Sequence, residues 1–452
     1  MRLSASRLWA VIVVLQLFFT LILSNALTLR PWEDRISNGA MVAGVDLGGF
    51  LPSAAAVRLA ESYRGSSSTR TLILTDGESS WAVDPLELGF VPDFAAAAEN
   101  AYQFDRQGSL NQRVARAWTM RLNKVDLPLP GDFPMEKLLA VLGPIESCFY
   151  RPPVPARVET PDGKGLVVIK EQPGRRLDRE KAIAQIKEAI FLGKDRCLSL
   201  PQETLLPSVK ESDLNGVNQV LASCTTRYNF RERNRSANIE IAARTINGTL
   251  VRPGEEFSLN AALGPRTAEK GYQIAPVFKN RLLTMDIGGG ICQLATTLYN
   301  TLLQANLEVK ERWPHSFSID YAPLGLDAAL MGSTADLKFQ NTTDHPVYIS
   351  AVAENGSLTV TLFGTAGENG VNRRIVTEKE EVPPPVVVKY DNTLARGESR
   401  LVQKGKAGYR VKVFRITETE GRETSRELLS EDYYYPQPTI YNSGDSLPNE
   451  HK

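Results

Sequence analysis

Histidine is scarce in this chain. There are three in 452 residues, and His451 lies in a polar tail. With so few, no His/Cys metal site is expected, and no cofactor is expected. Cysteine is also rare, at four residues, which excludes a disulfide scaffold. Cys148 and Cys197 flank one region and are able to pair outside the cytoplasm. Neither sign of charge is in excess, since 52 Lys and Arg balance 52 Asp and Glu. That balance removes the electrostatic case for nucleic acid or an anionic surface as partner. What the chain has in quantity is apolar residue, at 42% hydrophobic, enough to build cores. Its length suggests about three domains.

The one long apolar run is at the start. Arg2 and Arg7 precede residues 8–23, interrupted only by Gln16 and Thr20. Positive charge before an apolar core is the layout of a secretory signal or signal anchor. The run continues weakly through Ala26, Leu27 and Leu29 to Arg30 and Pro31, and so reaches the ~20 residues that span a bilayer. Ser24-Asn25-Ala26 offers a cleavage site. Residues 1–30 are therefore read as signal peptide or anchor, with the anchor preferred. A buried core helix is disfavoured, because the segment is terminal, apolar on all sides and flanked by arginine. The positive-inside rule places the remainder outside, either as the ectodomain of a single-pass membrane protein or as a protein secreted to the wall.

Two small α+β modules are expected next, over 40–125 and 130–210. The first opens with a short strand and glycine turn at 42–49, then an alanine-rich helix with Ser53 as N-cap. The second has helices over 135–142 and 178–192, with Ile183, Ile186 and Ile190 on one face, and a hairpin over 156–170 turning at Asp162-Gly163. Residues 215–365 form a dense α+β domain. Residues 378–441 are strand-rich after the linker Pro383-Pro384-Pro385, and an all-β module is expected there. The tail, 442–452, reads as disordered. The fold class is thus multidomain α+β.

Chemistry concentrates in the run 286–300, DIGGGICQLATTLYN. Three successive glycines make a loop whose backbone approaches something closely. Ile291, Leu294, Leu298 and Leu302 then recur at helical spacing. Cys292 falls at a helix N-terminus, where unpaired amides and the helix dipole stabilise a thiolate. Amides around Gly289, Gly290 and Gln293 are placed to hold an oxyanion. The candidate base is His315, in a Trp-Pro-His-Ser loop 23 positions on, with Asp320 or Asp327 to orient it. The alternative for Cys292 is a small buried core residue. His345 reads as a turn residue, and Cys224 as core of a strand.

These residues carry a resemblance. The motifs at 223–229 (SCTTRYN), 253–260 (PGEEFSLN), 264–267 (GPRT), 288–300, 313–316 and 339–348 (FQNTTDHPVY) occur in one order. Over about 215–365 the chain resembles the VanW-type domain of bacterial envelope proteins. Residues 40–210 look like the peptidoglycan-binding modules that precede such domains. Residues 378–441 look like the small β module named for its five glycines. The resemblance implies a cell-wall protein whose partner is peptidoglycan, and the N-terminal run adds the membrane as a second partner. It also implies L,D-transpeptidase activity with Cys292 as nucleophile and His315 as base. Arg266 would bind a stem-peptide carboxylate or form a structural ion pair. Tyr321 would line the groove or belong to the core. Cys224 departs from the pattern, standing where an aromatic or apolar residue is expected. The competing readings are a non-catalytic wall-binding scaffold and a cysteine peptidase of stem peptides.

Overall fold

Helix starts in the first half of the chain are set by small polar and imino residues. Pro52 opens the helix Pro52–Gly65, at a position where its missing N–H is not needed. Ser53, expected as the cap, lies inside that helix. Asp93 caps Phe94–Gln103 by accepting from the Ala96 amide at 2.8 Å, and Asp178 caps Arg179–Leu192 through the Lys181 amide at 3.2 Å. Each cap satisfies a donor that the helix cannot. The first strands, Ala40–Val42 and Val45–Asp46, pair across the turn at Ala43-Gly44.

The computed structural model describes residues 5–28, 34–65, 71–161, 165–193, 196–279, 282–332, 334–365, 371–419 and 422–445. It divides into two units, Met1–Pro153 with Pro173–Leu206 and Val154–Gln172 with Pro207–Lys452.

The first unit corrects the expectation of two modules. One core runs from Ile36 to Leu200, and it includes Leu59, Ala97, Met120, Leu142, Ile186 and Ile190. The strand Cys197–Ser199 pairs in parallel with Leu72–Thr75, and Phe90, Phe133 and Phe191 meet as one ring cluster. The apolar faces of Met135–Phe149 and Arg179–Leu192 are thus buried together with the first helices. The hairpin Arg157–Glu159 with Val167–Ile169 forms as expected, its turn at Asp162-Gly163 lying outside the described residues. It belongs to the other unit, where Ala156 and Val158 pack with Val217, Leu250 and Phe363. Cys148 and Cys197 are both exposed and free, so they do not pair.

The anchor expected over residues 1–30 gains no support from the fold. A helix runs over Ala5–Thr28, but among the described residues no helix is long and apolar enough to cross a membrane.

The second unit is built on a four-stranded antiparallel sheet in the order Gln219–Arg227, Ser357–Gly364, Val347–Glu354, Thr249–Val251. The helices Arg233–Ile246 and Ile291–Gln304 pack on it through Ile239, Ala243, Leu294, Leu298 and Leu302. A hairpin, Ile274–Lys279 with Leu282–Ile287, leads into the second of these helices. The C-terminal sheet begins earlier than expected, since Val371–Val382 pairs with Gly408–Thr419, which pairs with Arg422–Tyr434. The strand Thr439–Ser443 lies between Val386–Tyr390 and Ser399–Gln403. Order therefore extends past residue 442, and residues 446–452 of the expected tail lie outside the described residues.

A single core in the first unit predicts a shared melt. Leu59→Ala and Leu142→Ala, both at fully buried sites, should each destabilise the same calorimetric transition of the full chain by about 2–5 kcal/mol. Two transitions, each answering to one substitution, would restore the two-module reading.

Candidate active site

The glycine run between the hairpin and the helix Ile291–Gln304 is required by space and by backbone angle. Gly288 and Gly290 have φ of 86° and 108°, a region that side chains with a Cβ disfavour. At Gly289 a Cβ would lie 2.5 Å from the Pro276 carbonyl oxygen. Fully buried Asn238 holds the loop in place. Its Nδ2 donates to the carbonyls of Gly289 and Gln273, each at 2.9 Å, and its Oδ1 accepts from the Gln273 amide at 2.7 Å. The helix then starts at Ile291, with Cys292 as its second residue.

Three side chains at four-residue spacing on this helix hold one extended segment. Leu330 N donates to Cys292 Sγ at 3.4 Å, Ala328 N donates to Thr296 Oγ1 at 3.0 Å, and Asn300 Nδ2 donates to the Leu326 carbonyl at 2.6 Å. Residues one turn apart share a helix face, and alternate residues of an extended segment share a side. Leu326, Ala328 and Leu330 therefore meet the helix, and Asp327 between them turns to the histidine loop. Its Oδ2 accepts from the His315 amide at 2.7 Å and lies 2.6 Å from His315 Nδ1. Beyond Asp327, the imidazole interacts with the Cys292 sulfur, and each group stabilises the charged form of the other.

The electrostatics favour charge separation. Burial pushes the Cys292 thiol up, but the bond and charge of His315, the Leu330 amide and Arg266 together bring it below the ordinary thiol value. Burial works against imidazolium too, yet Asp327 and the Cys292 sulfur raise His315 to about 9. Burial likewise opposes the Asp327 carboxylate, and His315, Arg312 and Tyr434 outweigh it, so the group stays ionised. Both shifts favour the thiolate and imidazolium form of the pair.

The other expected residues fall as follows. Asp320 is exposed and makes no bond to the imidazole; of the two acids, Asp327 is the partner. Gln293 is not an oxyanion donor, because its amide donates to the Gly290 carbonyl at 3.0 Å. Its buried side chain donates to Thr226 Oγ1 and the Arg227 carbonyl and accepts from Arg235. The Gly289, Gly290 and Cys292 amides make no hydrogen bond among the described residues and remain the candidate donors. Tyr321 stands edge-on to His315, with ring centroids 6.5 Å apart, and Arg235 lies over its other side. Arg266 donates to Asn260 Oδ1 and makes no ion pair among the described residues. His345 sits in a turn, its carbonyl accepting from Asn341 and Thr343. Cys224 is half-buried in its strand, and burial pushes its thiol up. Sequence reasoning missed Arg312, Asp432 and Tyr434, which surround Asp327 from behind. Nothing local in the sequence signals the last two.

The domain order and site define a multidomain protein centred on a cysteine–histidine–aspartate arrangement. Family models match in sequence: "Putative peptidoglycan binding domain" over residues 81–197, "VanW like protein" over 234–363 and "G5 domain" over 373–445. The uncharacterized protein YoaR of Bacillus subtilis is 31% identical over 275 residues, 59% of this chain and 88% of that one. The vancomycin B-type resistance protein VanW of Enterococcus faecalis is 31% identical over 118 residues, 25% of this chain and 43% of that one. A solved IgA1 protease G5 domain aligns at 27% identity, covering 19% of this chain and all of that one, with a TM-score of 0.16. The chain belongs to the VanW-like family.

The choice of acid is testable. Asp327→Asn should slow iodoacetamide alkylation of Cys292 on the acid limb of its pH profile by roughly tenfold, because there a thiol pKa one unit higher leaves a tenth of the thiolate. Asp320→Asn should leave the rate unchanged. Site-resolved mass spectrometry reads both, and equal effects would remove Asp327 from this role.

Proposed function

We propose that this protein is a cell-wall acyl transferase of L,D-transpeptidase type, acting on peptidoglycan stem peptides. The observation that carries the reading is the grouping of half-buried Cys292 and His315 with buried Asp327, with the cysteine at a helix start. Such an arrangement supplies a nucleophile and a proton carrier. The Cys292 thiolate attacks the donor carbonyl carbon, forming a C–S bond, while the Gly290 and Cys292 amides face the developing oxyanion. The C–N bond breaks, and His315 gives its proton to the departing D-amino acid amine. The acceptor amine then attacks the thioester, His315 takes its proton, and the thiolate leaves. Water in the acceptor's place would make the enzyme a peptidase. Arg266, half-buried beside Gly288 and without an ion pair among the described residues, is the group suited to a stem-peptide carboxylate.

Cell-wall association is supported by the match to a peptidoglycan-binding family over 81–197 and by the VanW-type relatives. That match alone also fits a wall-binding scaffold without catalysis. The N-terminal helix is proposed as a membrane tether on the strength of the sequence.

Purified protein incubated with peptidoglycan should give new cross-linked muropeptides by liquid chromatography and mass spectrometry, and Cys292→Ala should give none. Shortened peptides without cross-links would identify the peptidase. No change with either protein, alongside co-sedimentation with peptidoglycan, would leave the scaffold. The tether has its own check: the full chain should stay in the membrane pellet after an alkaline wash, and release into the supernatant would overturn it.

A further inference from the structure

We infer that the C-terminal module belongs to the catalytic apparatus, with Tyr434 and Asp432 as positioning residues that hold Asp327, and through it His315, in line with Cys292. The inference rests on the cysteine acyl-transferase reading and adds to it residues from a different family module. Asp432 and Tyr434 lie on the strand Arg422–Tyr434, inside the 373–445 match and outside the VanW match.

The geometry is that of a carboxylate fixed on both oxygens. Oδ2 of Asp327 is taken by His315 twice, through ring and amide. Oδ1 accepts from Arg312 Nη2 at 3.1 Å and from the Tyr434 hydroxyl. That hydroxyl in turn accepts from the Gly325 amide at 2.8 Å. Arg312 Nη1 meets both oxygens of Asp432 at 2.6 Å, so Asp432 sets where the guanidinium can point. Arg312 also donates to the backbone carbonyls of Asp327 and Gly325. All these side chains are nearly or fully buried, so water cannot replace a lost donor.

Packing makes the same connection. Leu324 and Leu326 sit against Val411, Val413 and Tyr434. A Cβ on Gly325 would lie 2.6 Å from Val413 Cγ2, so the segment passes directly over the C-terminal sheet. The histidine loop is tied as well, its Ser316 carbonyl accepting from the Tyr435 amide at 2.9 Å. Neighbours on the strand do not share this role, since Tyr433 is on the opposite, partly exposed side. The charged and titratable groups around the pair are Asp327 and Tyr321 at His315, Arg266 at Cys292, Arg235 at Tyr321, Arg312, Asp432 and Tyr434 behind Asp327, and Tyr299 against Arg312. Of these only Asp432 and Tyr434 come from the C-terminal module. Loosening Asp327 would take support from the imidazolium, and the thiolate would form only at higher pH.

The test uses the full chain and reads the pH dependence of Cys292 alkylation beside a thermal melt. Tyr434→Phe keeps the ring and removes only the hydroxyl. Its acid limb should move up by roughly half to one pH unit, slowing alkylation below that limb about three- to tenfold. Asp432→Asn should shift it at least as far, and Tyr433→Phe should leave it in place. An unmoved profile in Tyr434→Phe, with fast Cys292 in the parent, overturns the inference and leaves the cysteine reading standing, even if the melt falls. Should Asp432→Asn fail to fold, Tyr434→Phe decides. A parent Cys292 no faster than Cys224 overturns both.

Discussion

The second unit depends on one buried anion. The carboxylate of Asp327 is 1% exposed, and such a group is tolerated only when its oxygens are paired. Its donors arrive from three places: the histidine loop, Arg312 at the end of a strand, and Tyr434 in the C-terminal sheet. Removing any one donor leaves the remaining groups to compete for a charge that water cannot reach. The irregular stretch from 313 to 330 has little periodic hydrogen bonding of its own, and this carboxylate supplies much of what orders it. The helix face of Cys292, Thr296 and Asn300 supplies the rest.

The parts of the site that were legible in the sequence are local ones. Three glycines before an apolar repeat of helical spacing define a loop and a helix start without reference to anything distant, and Cys292 follows from that. His315 was readable because the chain offers almost no other histidine. The choice between Asp320 and Asp327 was not readable. In a segment without regular structure, spacing does not say which way a side chain points, and the direction of Asp327 is set by its neighbours' contacts with a helix some thirty positions earlier. Asp432 and Tyr434 stand further off still, 120 and 107 positions from their partners. An acid and a tyrosine in a strand carry no mark of such a contact.

The same limit explains the first unit. Ile186 and Ile190 on one helix face say that the face is buried. They do not say against what, and a second small module is the simplest guess when sequence neighbours are taken as partners. The chain instead returns to the first strands, and Cys197–Ser199 joins Leu72–Thr75 across more than a hundred residues. That pairing leaves Cys148 and Cys197 apart and free, although they flank one region in sequence. The one helix cap read from the sequence, Ser53, misled, because Pro52 already begins the helix.

On the acyl-transferase reading, the pair carries its own change of role. In the resting site the imidazolium is sustained against burial by Asp327 and by the thiolate. A group held at about 9 is protonated at neutral pH, which suits it to give a proton to a leaving amine and unsuits it to take one. Acylation removes the negative sulfur. Burial still opposes the imidazolium, and only Asp327 still supports it, so the ring's affinity for a proton falls once the thioester forms. Having given up its proton to the first amine, His315 is then left neutral and able to accept one from the second, which is what aminolysis needs. The size of that fall depends on how much of the support is Asp327's. The donors behind Asp327 keep it ionised and aim it at the imidazole, and these two demands account for an acid bonded on both oxygens instead of one.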